Sequence, residues 1–154
     1  MAHLLSSFLV GAIALFSLLA APVMAADTSD GSSADAVTTS AYDEAKAMVD
    51  EGNVAAALPK LLALTRADAS NADAWTLLGH AYRELGQIEE SSAACLKALT
   101  INPDHRGALA HQGEVFIAQG RIDRAQANLA RLRALCATCE EAGDLERALK
   151  VARA

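Results

Sequence analysis

Two cysteines near the carboxyl terminus have the spacing of a reactive or metal-binding pair. Cys136 and Cys139 enclose only Ala137 and Thr138, so their thiols can reach each other. Such a pair can form a disulfide, act as a redox dithiol, or supply two sulfur ligands to copper(I) or zinc. Glu140 stands where covalent haem attachment requires a histidine, so this motif does not bind c-type haem.

These three kinds of chemistry remain open at the level of the sequence. A disulfide is the default in an exported protein, and closing so short a ring stabilises the chain by about 2 kcal/mol. A helix amino terminus near Cys139 would favour a thiolate, but Glu140 and Glu141 oppose it. We predict a structural disulfide between Cys136 and Cys139, with a thiol-redox or copper- or zinc-binding role as the alternative. The third cysteine, Cys95, is predicted to be an inert core thiol.

A second candidate site comes from polar side chains on neighbouring predicted helices. His80, His111 and Glu114 could converge on a metal ion, although such a trio is more often an ordinary polar surface. No Ser–His–Asp or Cys–His arrangement and no glycine-rich phosphate loop stands out in the sequence. We therefore predict that the protein is not an enzyme, needs no cofactor and holds no metal.

The amino-terminal segment has the pattern of a secretory signal peptide. Residues 4–21 form an uncharged apolar run, Pro22 ends it, and residues 23–25 provide a small-x-small cleavage signal. Because His3 and the amino terminus are its only positive groups, an uncleaved anchor is the alternative. We predict that residues 1–25 are removed, that the protein is exported to the periplasm, and that it is then free of the membrane.

The remainder of the chain, residues 26–154, suits one domain and carries all the charge of the chain, which is −6. Residues 26–120 hold 6 Lys and Arg against 14 Asp and Glu, whereas residues 121–154 hold 7 against 5. An acidic chain with so few aromatic residues is a poor candidate for binding nucleic acid. The uneven charge leaves open a self-assembling structural subunit in which copies stack end to end.

The elements that position these side chains follow a regular period. Gly52, Gly86 and Gly120 are equally spaced, and their separation matches the length of one helix–turn–helix repeat, about 34 residues. Gly86 is predicted to end its helix in the left-handed conformation, and Gly52 and Gly120 are predicted to form the turns of the other two hairpins. Residues 26–40 lack apolar periodicity and are predicted to form a flexible leader. From about residue 41 the pattern predicts helices at about 41–51, 54–66, 72–85, 88–101, 105–119, 121–135 and 140–152, with Asn71 and Asp104 as amino-terminal caps.

The second repeat carries the clearest signature, at Trp75, Leu78, Gly79, Tyr82, Gly86, Ala98 and Pro103. Trp75, Leu78 and Tyr82 share one face of a helix, and Gly79 would let the second helix approach. These residues resemble the tetratricopeptide repeat consensus. The other two repeats match it more loosely, at Gly52 in the first and at Gly113, Phe116 and Gly120 in the third.

The resemblance implies an all-α, tetratricopeptide-type α-solenoid of three helical hairpins plus a C-terminal capping helix. The repeats would occupy residues 41–139, at about 38–71, 72–105 and 106–139, with the capping helix at 140–154. Trp75 is expected to be part of the core of the middle repeat. The short C-x-x-C tail is also similar to that of small exported bacterial members of the family.

In this family the first helix of each hairpin lines a concave groove. The resemblance implies a partner-binding groove at Tyr42, Lys46, Val49, Thr76, His80, Arg83, Ala110 and Glu114. This set does not match the basic clamp with which some relatives hold the C-terminal carboxylate of a chaperone. We predict a periplasmic protein–protein interaction module, an adaptor or scaffold, that binds a peptide segment of an envelope partner.

Overall fold

A computed structural model describes residues 30–154, with side chains from residue 39 onward. The signal peptide predicted for residues 1–25 lies outside the described residues. The described part is all-α and forms three hairpins and a final helix. None of its helices has the length and apolarity needed to cross a membrane. The helices are α1 (Asp30–Asp50), α2 (Val54–Ala67), α3 (Ala72–Glu84), α4 (Ile88–Ile101), α5 (Arg106–Ala118), α6 (Ile122–Leu135) and α7 (Glu140–Val151).

The first helix begins at Asp30, well before the predicted start at residue 41. The flexible leader predicted for residues 26–40 is therefore wrong from Asp30 onward, and residues 26–29 lie outside the described range. Nucleation is the costly step of helix formation, and residues 30–40 contain no proline, so a helix held by α2 and α3 can extend through them.

The three equally spaced glycines end the first helix of each hairpin as predicted. Their φ angles are +80° at Gly52, +73° at Gly86 and +71° at Gly120, a left-handed region that favours glycine. In the middle hairpin the Gln87 N–H donates to the carbonyl of Tyr82 at 2.8 Å, which closes the helix end. The equal spacing of the glycines in the sequence is thus the spacing of the hairpin turns in the structure.

The middle hairpin is joined by close contact between α3 and α4. Ser91 Oγ donates to the Gly79 carbonyl at 2.6 Å, and Ser91, Cys95 and Ala98 are fully buried. A Cβ atom on Gly79 would lie 2.7 Å from Cys95 Sγ, so glycine is required for this approach. Burial raises the pKa of the Cys95 thiol to about 12, which agrees with the prediction of an inert core thiol.

Trp75 is less central than predicted. It is half-buried and packs against the cluster formed by α1 to α4, while Leu78 and Ala81 occupy its fully buried positions. The indole Nε1 donates to the carbonyl of Ala69 at 3.1 Å. The ring therefore covers the turn between α2 and α3, where its polar edge still finds a partner.

The final helix begins in phase with the repeats. Its amino-terminal cap, Cys139, lies one repeat length after His105, which in turn lies one repeat length after Asn71, the cap of α3. Through Ala142, Leu145 and Leu149, α7 buries one face against α5 and α6. It therefore takes the place of a fourth first helix and caps the stack, as the capping-helix prediction required.

The opposite face of α7 differs from the corresponding face of α3. The positions that follow Trp75, Leu78 and Tyr82 by two repeats are occupied by Gly143, Glu146 and Lys150. In α3 these positions pack in the core cluster formed by α1 to α4, so α7 lacks the apolar side chains that α3 has there.

Candidate functional site

A groove of about 920 Å³ runs across the first helices of the hairpins. Its wall is formed by Tyr42 and Lys46 from α1, Thr76 and His80 from α3, and His111 from α5. The turn between α4 and α5 and the start of α7 complete it. The turn and α7 contribute Asn102, Asp104, His105, Arg106 and Glu141.

Four of the eight predicted groove residues line this cavity: Tyr42, Lys46, Thr76 and His80. Two others, Arg83 and Glu114, form a polar cluster with His80 and His111 beyond its edge. The prediction is wrong for Val49 and Ala110, because each is only 6% exposed and packs within the core. Both positions face the neighbouring helices, so they offer almost no surface to a partner.

Sequence reasoning did not find the contribution of the α4–α5 turn. His105, rather than the predicted Asp104, caps α5, because its Nδ1 accepts the Ala108 N–H at 3.1 Å. Asp104 instead pairs with Arg131 on α6 at 2.8 Å. The signal that could have found His105 is its spacing of one repeat length from Asn71, whose side chain caps α3 as predicted.

His105 also connects two repeats. Since its Nδ1 accepts a backbone N–H, the ring proton is on Nε2, and Nε2 donates to Asp73 Oδ1 on α3 at 2.8 Å. This interaction ties the start of α5 to the first turn of α3, directly beside the groove.

The polar cluster lies where α3 meets α5. The rings of His80 and His111 stack with centroids 4.6 Å apart. Arg83 Nη2 donates to His80 Nδ1 at 3.2 Å, and His111 Nδ1 contacts Glu114 Oε2 at the same distance. Arg83 Nε lies 3.1 Å from Glu114 Oε2, but its N–H does not point at that oxygen, so this contact is electrostatic.

The two ends of this cluster have shifted pKa values. Burial, followed by the charges of His111 and Arg83, lowers the pKa of His80 to about 4. Burial alone would raise the pKa of Glu114, but the hydrogen bond with His111 and the charge of Arg83 lower it overall. At neutral pH the cluster therefore holds a neutral His80 and an ionised Glu114.

The cluster is poorly arranged for a metal ion. The guanidinium of Arg83 donates to His80 and lies against Glu114, so a cation already occupies the place between these ligands. Among the described residues, the group that best brings metal-ligand atoms together is Cys136, Cys139 and Glu141, within 4.8 Å of one another.

The two cysteines of that group are joined in a disulfide, as predicted, with their Cα atoms 5.5 Å apart. A metal site there would require reduction, because sulfurs bonded to each other are not thiolates. The disulfide spans the short turn from α6 to α7, and Cys139 is the cap residue of α7. The Glu141 carboxylate, two residues further on, faces Arg106 Nε at 3.6 Å.

Comparison with known proteins agrees with this architecture. Residues 72–105 match the tetratricopeptide repeat family. No curated protein sequence shows significant similarity to the chain. The described fold is similar to several solved tetratricopeptide structures at low sequence identity, so these similarities concern the fold alone.

Three solved structures illustrate this similarity. The Yersinia enterocolitica type III secretion chaperone SycD, in complex with a peptide of the translocator YopD, has a TM-score of 0.66 and 16% identity, covering 76% of this chain and 92% of that one. The first such domain of Spaghetti (RPAP3), bound to the HSP90 peptide SRMEEVD, has a TM-score of 0.66 and 18% identity, with coverages of 76% and 94%. The Arabidopsis OM64 domain has a TM-score of 0.67 and 18% identity, with coverages of 74% and 94%. With its equally spaced turns, its matching middle repeat and this similarity, the described part of the chain has the tetratricopeptide-type α-solenoid fold, and residues 72–105 match a tetratricopeptide repeat.

Proposed function

We propose that the protein is a periplasmic adaptor that binds a peptide segment of an envelope partner in the groove between α1, α3 and α5, without catalysing a reaction. The observation that carries this proposal is the groove of about 920 Å³ across the first helices of successive repeats. Most of its lining residues belong to helices, and only Asn102, Asp104 and His105 come from a turn, so the site is largely preorganised for a ligand.

The shape and lining of the groove support a peptide over a small metabolite. The lining combines polar groups with the apolar side chains of Tyr42, Leu77 and Leu135, as a segment with mixed side chains would require. SycD and the first RPAP3 domain, which share the fold, have been solved with peptides bound. The signal-peptide pattern of residues 1–25 supports export and therefore a partner in the envelope.

Photo-crosslinking tests this proposal without depending on the charge of the ligand. A photoreactive residue replaces Lys46, which is exposed in the groove, in one variant, and Lys97, which is exposed on α4 outside it, in the matched control. Both variants are expressed in the native organism and irradiated. We expect one specific crosslinked protein at position 46 and none at position 97. Equal crosslinking at both positions, or none at position 46, would contradict a groove ligand.

The cysteine pair provides the second arm of the experiment. If the disulfide is structural, a Cys136→Ser/Cys139→Ser variant keeps the crosslink at position 46 and loses only stability. If the crosslink disappears while the variant remains folded, the thiol chemistry is part of the function and the adaptor proposal is incomplete.

A further inference from the structure

The carboxylates of the groove are not all paired with a positively charged side chain. Its lining contains four carboxylates, and three of them lie close to a lysine or arginine. These pairs are Asp50 with Lys46 at 2.6 Å, Asp104 with Arg131 at 2.8 Å, and Glu141 with Arg106 at 3.6 Å.

The fourth carboxylate, Asp73, has no such cation among the described residues. Its Oδ1 accepts a hydrogen bond from His105 Nε2 at 2.8 Å, and its side chain is 70% exposed. The His105 ring is neutral in this arrangement, because its Nδ1 accepts the Ala108 N–H. Asp73 therefore faces a hydrogen-bond donor rather than a lysine or arginine, and it can offer its other carboxylate oxygen to a ligand.

An aromatic side chain lies beside this carboxylate. Tyr42 and Asp73 both line the main groove and also the adjoining pocket of about 190 Å³, so they stand together between the two cavities. Burial raises the pKa of Tyr42, and the charge of Asp73 is the next largest cause, which agrees with their proximity. A carboxylate beside an aromatic ring is a favourable place for an ammonium or guanidinium group.

We propose that the groove selects a partner segment carrying a lysine or arginine, whose charged end is seated between Tyr42 and Asp73. This inference rests on the proposed function and specifies the chemistry of its ligand. The net charge of −6 would also draw a basic segment towards the protein and repel an acidic one. Asp73 is then the residue that determines specificity, and the other polar residues of the groove position the backbone of the segment.

A displayed library of random dodecapeptides tests the inference on the purified protein. We expect the bound peptides to be enriched in Lys or Arg at one position. For the strongest binder, changing that residue to Gln weakens affinity about tenfold, because a charge-assisted contact is lost. Asp73→Asn should weaken the same peptide by a similar factor, and the two changes together should cost much less than the product of their separate effects.

The matched control is Glu90→Gln, the same carboxylate-to-amide change at an exposed position of α4 outside the groove. It should leave the affinity unchanged. Circular dichroism melting shows whether Asp73→Asn, in the first turn of α3, remains folded. If it is not folded, Tyr42→Leu replaces it and should reduce the preference for the basic residue.

The possible failures are distinguishable. Peptides that crosslink at position 46 but show no basic preference, or that bind Asp73→Asn equally well, overturn the inference and leave the groove function intact. A preference for acidic peptides also overturns it. A library that yields no peptide crosslinking at position 46 overturns the groove function and the inference together.

Discussion

Gly79 and Gly113 occupy the same position in the middle and last repeats, yet they contact different helices. A Cβ on Gly79 would meet Cys95 of α4, the second helix of its own hairpin. A Cβ on Gly113 would instead meet Leu145 of α7. At this position the middle repeat packs against the second helix of its own hairpin, whereas the last repeat packs against the capping helix α7. The same consensus glycine thus lies in a different interface in each repeat, and its position in the sequence does not show which interface that is.

The comparison predicts that the stability of the last repeat depends most on one side chain of α7, Leu145. Leu145 is fully buried, so Leu145→Ala should lower the free energy of unfolding by about 3 kcal/mol through the cavity it leaves. Urea unfolding measures the loss, and hydrogen exchange should show it first in α5 to α7. Leu96→Ala is the matched control, since Leu96 is 61% exposed and should cost about 0.5 kcal/mol at most. Similar losses for both variants would mean that α7 does not cap the stack.

The disulfide should also stabilise the last repeat and not the middle one. Removing it by Cys136→Ser/Cys139→Ser should cost about 2 kcal/mol, the loop-closure entropy of a short ring. Thermal melting with and without a dithiol reductant measures this loss, and the reductant should have no further effect on the double variant. Faster hydrogen exchange is expected in α7 and not in α3. Equal acceleration in both helices would show that the two repeats do not differ in this way.

Substituting the two glycines tests the contacts on which this comparison rests. Gly79→Ala should cost about 1.5 kcal/mol, because the new methyl group meets Cys95 Sγ at 2.7 Å and the Cys95 backbone N at 3.3 Å. Gly113→Ala should cost a similar amount, because the new methyl group meets Leu145 Cδ2 at 2.5 Å and Cγ at 3.2 Å and this side chain is fully buried.

Double-mutant cycles provide the decisive measurement for these glycines. Cys95→Ala should partly rescue Gly79→Ala, and Leu145→Ala should make Gly113→Ala harmless. The exchanged pairs, Gly79→Ala with Leu145→Ala and Gly113→Ala with Cys95→Ala, are the controls and should be additive. Coupling in the exchanged pairs would refute the assignment of the two interfaces.

The smallest expected effect is a pH dependence of stability that arises where the middle repeat meets the last one. The pKa of His80 is lowered to about 4 from 6.5, so between these values the unfolded chain binds a proton that the folded chain does not. Stability should therefore fall as the pH drops from 6.5 to 4, by about 1 kcal/mol after solvent screening. The lowered pKa of Glu114 acts in the same direction at lower pH. Unfolding curves of His80→Gln should show a flatter profile; an unchanged slope would place the pH dependence elsewhere.

The regular repeat period made most of the fold predictable. A left-handed turn tolerates few residues other than glycine, so Gly52, Gly86 and Gly120 indicated the hairpin ends directly. The start of α1 was missed because residues 30–40 are polar and show no apolar periodicity, and the sequence offers no sign that α1 extends through them.

The candidate site was predictable only in part. Tyr42, Lys46, Thr76 and His80 follow from repeat position, but a small rotation of a helix decides whether the neighbouring position faces the groove or the core. That rotation depends on packing between repeats, which is why Val49 and Ala110 were misplaced. The role of His105 was hidden for another reason: a histidine is an uncommon cap, and Asp104 beside it has the more favourable residue type.

The polar outer face of α7 has a consequence for engineering. Four positions of α7 differ from the pattern that receives the second helix in the middle repeat: Gly143, Glu146, Arg147 and Lys150 stand where α3 has Trp75, Leu78, Gly79 and Tyr82. Placing a tryptophan, a leucine, a glycine and a tyrosine at these four positions, with an amphipathic segment appended beyond residue 154, should let a further helix pack against α7. The array is thus open to extension by redesign of a single helix face.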